Sequence, residues 1–303
     1  MSRSTRPRSC LGRLLVVVLG FGLLVTAVVV ALRLADGSAP ASNACLAPIE
    51  GDDMVLDAEQ ADNAALMSAV ALHRELPARS VTIAVATAMQ ESQLRNIDYG
   101  DRDSVGLFQQ RPSQGWGTVE QIMDPVYSTN AFYDVLVTIE SWEDAEVTDA
   151  AQDVQRSAFP EAYAQHENRG RAFASALTGY SEAALVCELE PAEASADAVT
   201  AVRDRLARDF VEVAVQERAG HLLVDATSLP PGLEPAPARR GWAVAQWAVA
   251  TAGVTGASVV VTDGQAWTRG AAEAAWRPLA EAELPSAVAE AAAAAAPGTV
   301  VIA

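Results

Sequence analysis

Apolar positions first run unbroken, from Leu14 to Leu32, where 19 uncharged residues lie between Arg13 and Arg33. At about 1.5 Å per residue a helix there reaches roughly 28 Å, enough to cross a bilayer. Further on the pattern becomes periodic. Leu66 and Val70, then Leu72 and Leu76, recur at helical spacing and predict a helix within 56–76. Ser80 caps a second, alanine-rich helix from Val81 to about Leu94. From Arg95 to Thr118 the period disappears into Gly, Asp, Ser and Gln around Val105-Gly106-Leu107-Phe108, which predicts a long structured loop or small hairpin. Asp124-Pro125 restarts helix through Tyr133, Leu136 and Ile139 to Trp142, Thr148 starts another, and Pro160 opens one running to about Leu177. A Pro/Ala/Glu/Ser stretch at 189–198 reads as a linker. Beyond it Val211 to Val215 alternates and His221 to Val224 returns around Ala219-Gly220 as a hairpin; a helix at 239–251, strands at 257–262 and 299–302, and an alanine-rich helix at 289–296 complete the pattern.

Charge sharpens this picture. The 21 basic residues are all arginine, against 39 acids, for a net charge of −18. That balance excludes a nucleic-acid binder. Arg3, Arg6, Arg8 and Arg13 precede the apolar run and no acid lies before Asp36, so the positive-inside rule puts a basic tail, 1–13, in the cytoplasm, an anchor at 14–35, and everything after it outside the cell membrane. A cleaved signal peptide is the rival reading, because Ser38 to Ala44 offers small residues to a peptidase; either way the body is exported. Residues 36–56 then read as a linker. Cys10 falls on the cytoplasmic side, which leaves Cys45 and Cys187 flanking one exported segment as a disulfide in an oxidising compartment or as two buried thiols. His73, His166 and His221 are never spaced as ligands, and nothing in the sequence asks for a metal or another cofactor.

The candidate chemistry lies where the second helix meets the loop. Ala84, Thr87 and Ala88 stand seven, four and three positions before Glu91 and share its face, the face an alanine-rich helix must bury. Desolvation favours a protonated carboxyl, the state a general acid needs. Glu91-Ser92 is followed at 15 residues by Gly106-Leu107-Phe108-Gln109, with Pro112 at 21. These positions resemble the lytic transglycosylase family of the lysozyme-like superfamily, whose pattern is Glu-Ser and then Gly-Leu-x-Gln-x-x-Pro at that spacing. The likeness is strong over 80–118 and extends over 57–180 only as a layout of helices. It implies a lysozyme-like fold for the mainly α domain at 57–188, which the chain's own pattern sets after one transmembrane helix and before a small α/β accessory domain at 199–303. It also implies cleavage of the β-1,4 bond between N-acetylmuramic acid and N-acetylglucosamine in a peptidoglycan glycan strand, and the membrane anchor adds wall-building membrane enzymes as expected partners.

Carried over residue by residue, the resemblance makes Glu91 the acid and then the base. Ser92 would hold that carboxyl or the sugar, Gly106 would let the backbone approach the glycan, and Gln109 would bond an acetamido group, with Leu107 and Phe108 as floor. Trp116, after Gly115, is either a sugar platform or an anchor tucked inward. The family's late Ala-Tyr-Asn-Ala-Gly run is missing; Ala151 to Ser157 stands in its place, where Gln155, with Tyr163 nearby, would supply the contacts. The loop also departs from the pattern, since Asp98, Asp101 and Asp103 replace small residues. They offer the second carboxylate of a muramidase-type hydrolase, a brace built with Arg102, or a calcium loop. A non-catalytic binding or envelope-assembly module is the alternative to an enzyme. A further one makes the C-terminal part functional through Trp242, Trp247 and Trp267, although tryptophans at helical spacing more often belong to a core.

Overall fold

The computed structural model describes residues 43–157, 160–192, 195–218, 220–230 and 236–303. The anchor expected at 14–35 and the basic tail lie outside them. Among the described residues no helix is long and apolar enough to cross a membrane.

Much of the linker expected at 36–56 instead folds as a hairpin of β1 (Ala44–Ile49) and β2 (Asp52–Asp57). Glu50 and Gly51, at φ 53° and 92°, form the two-residue turn, whose positive dihedrals match the twist of the flanking strands. β3 (Val186–Glu188) pairs with β1 on the other side, over Ala44 to Leu46 only. Pro48 therefore sits beyond the end of β3, on a stretch of β1 with one open side, where its missing N–H breaks no ladder. The register sets Cys45 opposite Cys187, and the two are joined by a disulfide.

α1 (Ala58–His73) starts on a capping box in which Asp57 accepts from the Gln60 backbone and Gln60 reaches back to Asp57. α2 (Ala78–Ser92) is buried along almost its whole length by small and β-branched side chains. α3 (Val119–Ile122) and α4 (Pro125–Leu136) follow the long loop, with Asp124 capping α4 and Pro125 at its first position. α5 (Val147–Gln155), a 3-10 turn at Pro160–His166 and α6 (Glu167–Leu177) pack around α2. Gly170 lets α6 come close, since a Cβ there would stand 2.6 Å from the Thr82 carbonyl oxygen.

The rest of the chain supplies α7 (Ala196–Asp209), β4 (Ala214–Arg218), β5 (His221–Asp225), α8 (Pro237–Thr255), β6 (Val259–Thr262), β7 (Gln265–Thr268), β8 (Arg277–Pro278), α9 (Ser286–Ala293) and β9 (Thr299–Ile302). The last six strands form one antiparallel sheet in the order β4-β5-β9-β6-β7-β8. Residues 43–303 make one compact unit. A single hydrophobic cluster runs from Cys45 through α1, α2 and α6 to Trp247, Trp267 and Ile302.

The mainly α class implied by the resemblance is thereby corrected. Nine α-helices and nine strands in two sheets make the described residues a mixed α/β fold. Short strands escape a search for apolar alternation when, as in β2, the pattern reads Asp-Asp-Met-Val-Leu-Asp and only Leu56 is buried.

Two polar staples cross the cluster. The Gln246 amide on α8 accepts from the Ala184 and Leu185 N–H groups at 2.9 and 2.6 Å and donates to the Ala176 and Ser181 carbonyls at 2.7 and 2.9 Å. Arg205 on α7 binds Asp62 of α1 and Asp209, each at 2.8 Å, and the Trp247 indole donates to Asp209 at 3.0 Å. Burial pushes the Asp62 carboxyl above its ordinary value, against the pull of Arg205.

Cys45→Ser opens a ring whose ends are 142 residues apart. We expect it to lose about 4–5 kcal/mol of stability on the chain-entropy account, measured by urea unfolding, and expect reductant to lower the wild-type midpoint to that of the variant.

Candidate active site

α2 ends abruptly. Ser80 to Met89 are buried, Gln90 and Glu91 are half-buried, and the chain turns at Gln93 and Leu94, both left-handed at φ 56° and 58°. L-residues enter that region at a cost of about 1–2 kcal/mol each, so other contacts must hold them. The Leu94 N–H closes back on the Ala88 carbonyl at 2.8 Å. From α1, Gln60 donates to the Gln93 carbonyl at 2.9 Å and Asn63 to the Leu94 carbonyl at 3.0 Å. Arg95 pairs with Asp57 and Glu59 at the start of α1. Neither Gln60 nor Asn63 is singled out by the sequence motif; the Asp57-x-x-Gln60 spacing is the signal that marks this end of α1.

The loop returns under the helix end. Val105 and Gln110 form an isolated bridge, and the Gly106 N–H donates to the Ile97 carbonyl at 2.7 Å. Gly106 has φ 80°, and a Cβ there would meet the Ile122 carbonyl oxygen at 2.9 Å. Within the fold its close approach is thus to α3. Leu107 and Phe108 are fully buried, and Phe108 stacks on Phe132 with ring centroids 4.4 Å apart.

Two side chains clasp this pair. The Ser92 hydroxyl lies 2.7 Å from the Leu107 carbonyl and 3.1 Å from that of Ala88, while Gln155, at the end of α5, donates to the Phe108 carbonyl at 2.8 Å. In this arrangement Ser92 fastens the helix to the loop. Tyr163, fully buried on the 3-10 turn, donates its hydroxyl to Glu91 Oε1 at 2.7 Å. Burial, reinforced by the neighbouring Glu91 carboxylate, raises the Tyr163 phenol well above its ordinary value and keeps it a donor. Among the described residues nothing else bonds Glu91, so one carboxyl oxygen is held and the other is open.

The remaining candidates spread outward. Gln109, at φ 49°, donates to the Tyr99 and Gly106 carbonyls at 3.2 and 3.4 Å and so braces the loop. Trp116 is half-buried with its ring against the core. Asp98 and Asp101 are exposed; Asp101 makes a long 3.8 Å contact with Arg102. Asp103 turns to Arg111 at 2.8 Å and to the Ser113 N–H and hydroxyl at 2.8 and 3.0 Å. These donors, the Ser113 N–H first, hold its carboxyl well below the usual range. Among the described residues no group of His, Cys, Asp and Glu is placed to hold a metal ion.

The arrangement presents a single carboxyl at the mouth of a buried helix, set by a phenol and facing a pinned loop. That is the equipment of an acid–base site with one proton-carrying group. No family model matches the chain, and no curated protein matches it.

Because the Asp103 carboxyl is depressed in the folded protein, its contribution to stability is complete above the ordinary Asp value of about 3.9 and disappears as pH falls through its folded value. Carboxyl carbon NMR should show Asp103 titrating below the ordinary aspartate range, and Arg111→Gln should move it upward. Unchanged titration in that variant would show that the ion pair contributes nothing.

Proposed function

We propose that this chain is a lytic transglycosylase that cleaves the β-1,4 bond between N-acetylmuramic acid and N-acetylglucosamine in peptidoglycan. The observation that carries the reading is the Tyr163 to Glu91 bond at 2.7 Å above the Ser92-clasped Leu107-Phe108 loop. Glu91, Ser92 and Leu107 of the motif meet there with Phe108, and with Gln155 and Tyr163 from outside it. Glu91 gives its proton to the glycosidic oxygen as that bond breaks. It then takes the proton of the muramic acid 6-hydroxyl as that oxygen attacks the anomeric carbon, which closes a 1,6-anhydro ring. Tyr163 keeps its own proton throughout; it orients the carboxyl and stabilises the charged form between the two steps.

The hydrolase alternative needs a second carboxylate. Asp103 is already committed to Arg111 and Ser113, which leaves Asp98 and Asp101 in solvent for that role. The proposed address is the outer face of the cell membrane. It rests on the arginine asymmetry of the first 33 residues and on the Cys45–Cys187 disulfide, a bond that persists in oxidising compartments. Peptidoglycan and wall-building membrane enzymes are the proposed partners.

Digestion of purified peptidoglycan by the full chain, read by mass spectrometry, tests the reading. Wild type should release anhydro-muropeptides, and Glu91→Gln should lose roughly a hundredfold to ten-thousandfold in rate with its thermal unfolding little changed. Reducing ends would instead indicate hydrolysis, and glycan binding without release would leave a binding module. Tyr163→Phe, which removes one hydrogen bond to a charged group, should lower the rate about tenfold and shift the pH profile, a change that a merely structural tyrosine would not cause.

A further inference from the structure

A cavity of about 720 Å³ lies on the outer face of the C-terminal sheet. Alternation along the hairpin builds its floor. Val215, Leu222 and Val224 face the core, so Gln216, Arg218, His221, Leu223 and Asp225 face outward into the cavity. The opposite wall is α9 and the turn after it, almost all alanine, with Glu290 as its one charged side chain.

Among the described residues three groups there lack a counterpart of opposite charge or any hydrogen bond. His221 is 4% exposed, and neither ring nitrogen has a hydrogen-bond partner among the described residues. An imidazole always carries a donor, and leaving a buried polar atom unpaired costs about 1–3 kcal/mol. Arg218 stands directly opposite His221 in the hairpin register, and among the described residues its guanidinium bonds only the Gln216 amide, at 3.1 Å. Among the described residues no carboxylate pairs with Arg218 and no cation pairs with Glu290. Asp225, by contrast, is satisfied by the Thr227 N–H and hydroxyl at 3.0 and 2.5 Å.

An unpaired cation beside an unsatisfied imidazole, with an unpaired anion on the facing helix, suits a ligand that carries both charges. A ligand of one sign would leave the other wall unanswered. Small-residue walls and the absence of an aromatic platform suit a peptide better than a sugar. The floor strands extend roughly 17 Å at about 3.4 Å per residue, room for an extended peptide of about three or four residues. We infer that this cavity binds a short peptide with free termini, its carboxylate held by Arg218 and His221 and its ammonium by Glu290. A planar guanidinium takes a carboxylate in two parallel bonds, which fixes the direction of the peptide. The inference is independent of the proposed activity at Glu91.

Titration of the full chain with trialanine and tetraalanine tests it, followed by calorimetry and by histidine ring NMR. The free peptides should shift one ring, the one lost in His221→Gln. C-terminal amidation and Arg218→Gln should each weaken binding about tenfold or more, and together little further. N-terminal acetylation and Glu290→Gln should behave as a second such pair. Arg218 and Glu290 are exposed, so these variants should unfold at the wild-type temperature. Equal binding of free and amidated peptides would overturn the inference, as would no shift of the His221 ring up to the solubility limit. Acetate acting as strongly as trialanine would reduce the site to a carboxylate pocket and also overturn it. Peptidoglycan cleavage is not part of the readout, so failure here leaves the Glu91 proposal untouched.

Discussion

Burial of α2 on nearly all sides is the constraint from which the rest follows. A helix whose middle turns, Val81 to Ala88, hold Ala, Val and Thr with one Ile offers little side-chain volume, so its neighbours must come close to fill space. Gly170 of α6 does this by laying backbone against the Thr82 carbonyl. Such a helix has no free face on which to slide, and adding even a methyl at these contacts forces backbone shifts that cost about 1–3 kcal/mol. Its orientation is fixed, and with it the C-terminal end where Gln90 and Glu91 come out of the core.

The polar interactions serve the same geometry. Gln246 uses both donors and its acceptor inside the core, so it locks α8 to the segment after α6 without leaving a lone pair or proton unanswered. Arg205 carries a heavier charge. A buried guanidinium with Asp62 and Asp209 adds less net stability than its short distances suggest, because desolvation offsets most of the attraction. Its effect is on specificity: α1 and α7 meet at one register, since any other leaves a charge buried alone. α1 is also the element that grips Gln93, Leu94 and Arg95, so the C-terminal elements steady the turn after Glu91 through it.

The end of α2 was more legible in the sequence than the fold around it. Helix ends with strong caps, such as Asp124-Pro125, and long periodic runs, such as 81–94, are local and therefore readable. Glu91, Ser92, Gln155 and Tyr163 converge because helices of predictable length carry them to one end of α2. The strands of the first sheet were illegible for the opposite reason. β1, β2 and β3 are short, β3 comes from beyond α6, and their pairing is decided by partners that no local pattern names. Gly106 was legible as a glycine that must be glycine, yet what it approaches, Ile122, is a tertiary fact. The braces Asp103–Arg111–Ser113 and Gln60–Gln93 are likewise decided by folding; in sequence they are indistinguishable from solvated polar residues.

The disulfide closes the chain into a loop with Glu91, Ser92, the pinned segment 105–113, Gln155 and Tyr163 all inside it. Every side chain assigned to the site therefore belongs to one covalent circle, and its entry and exit lie side by side on β1 and β3. A single backbone cut anywhere within the circle leaves both fragments tethered by the cystine. For a domain with long exposed acidic turns, that topology separates damage to the backbone from dispersal of the site.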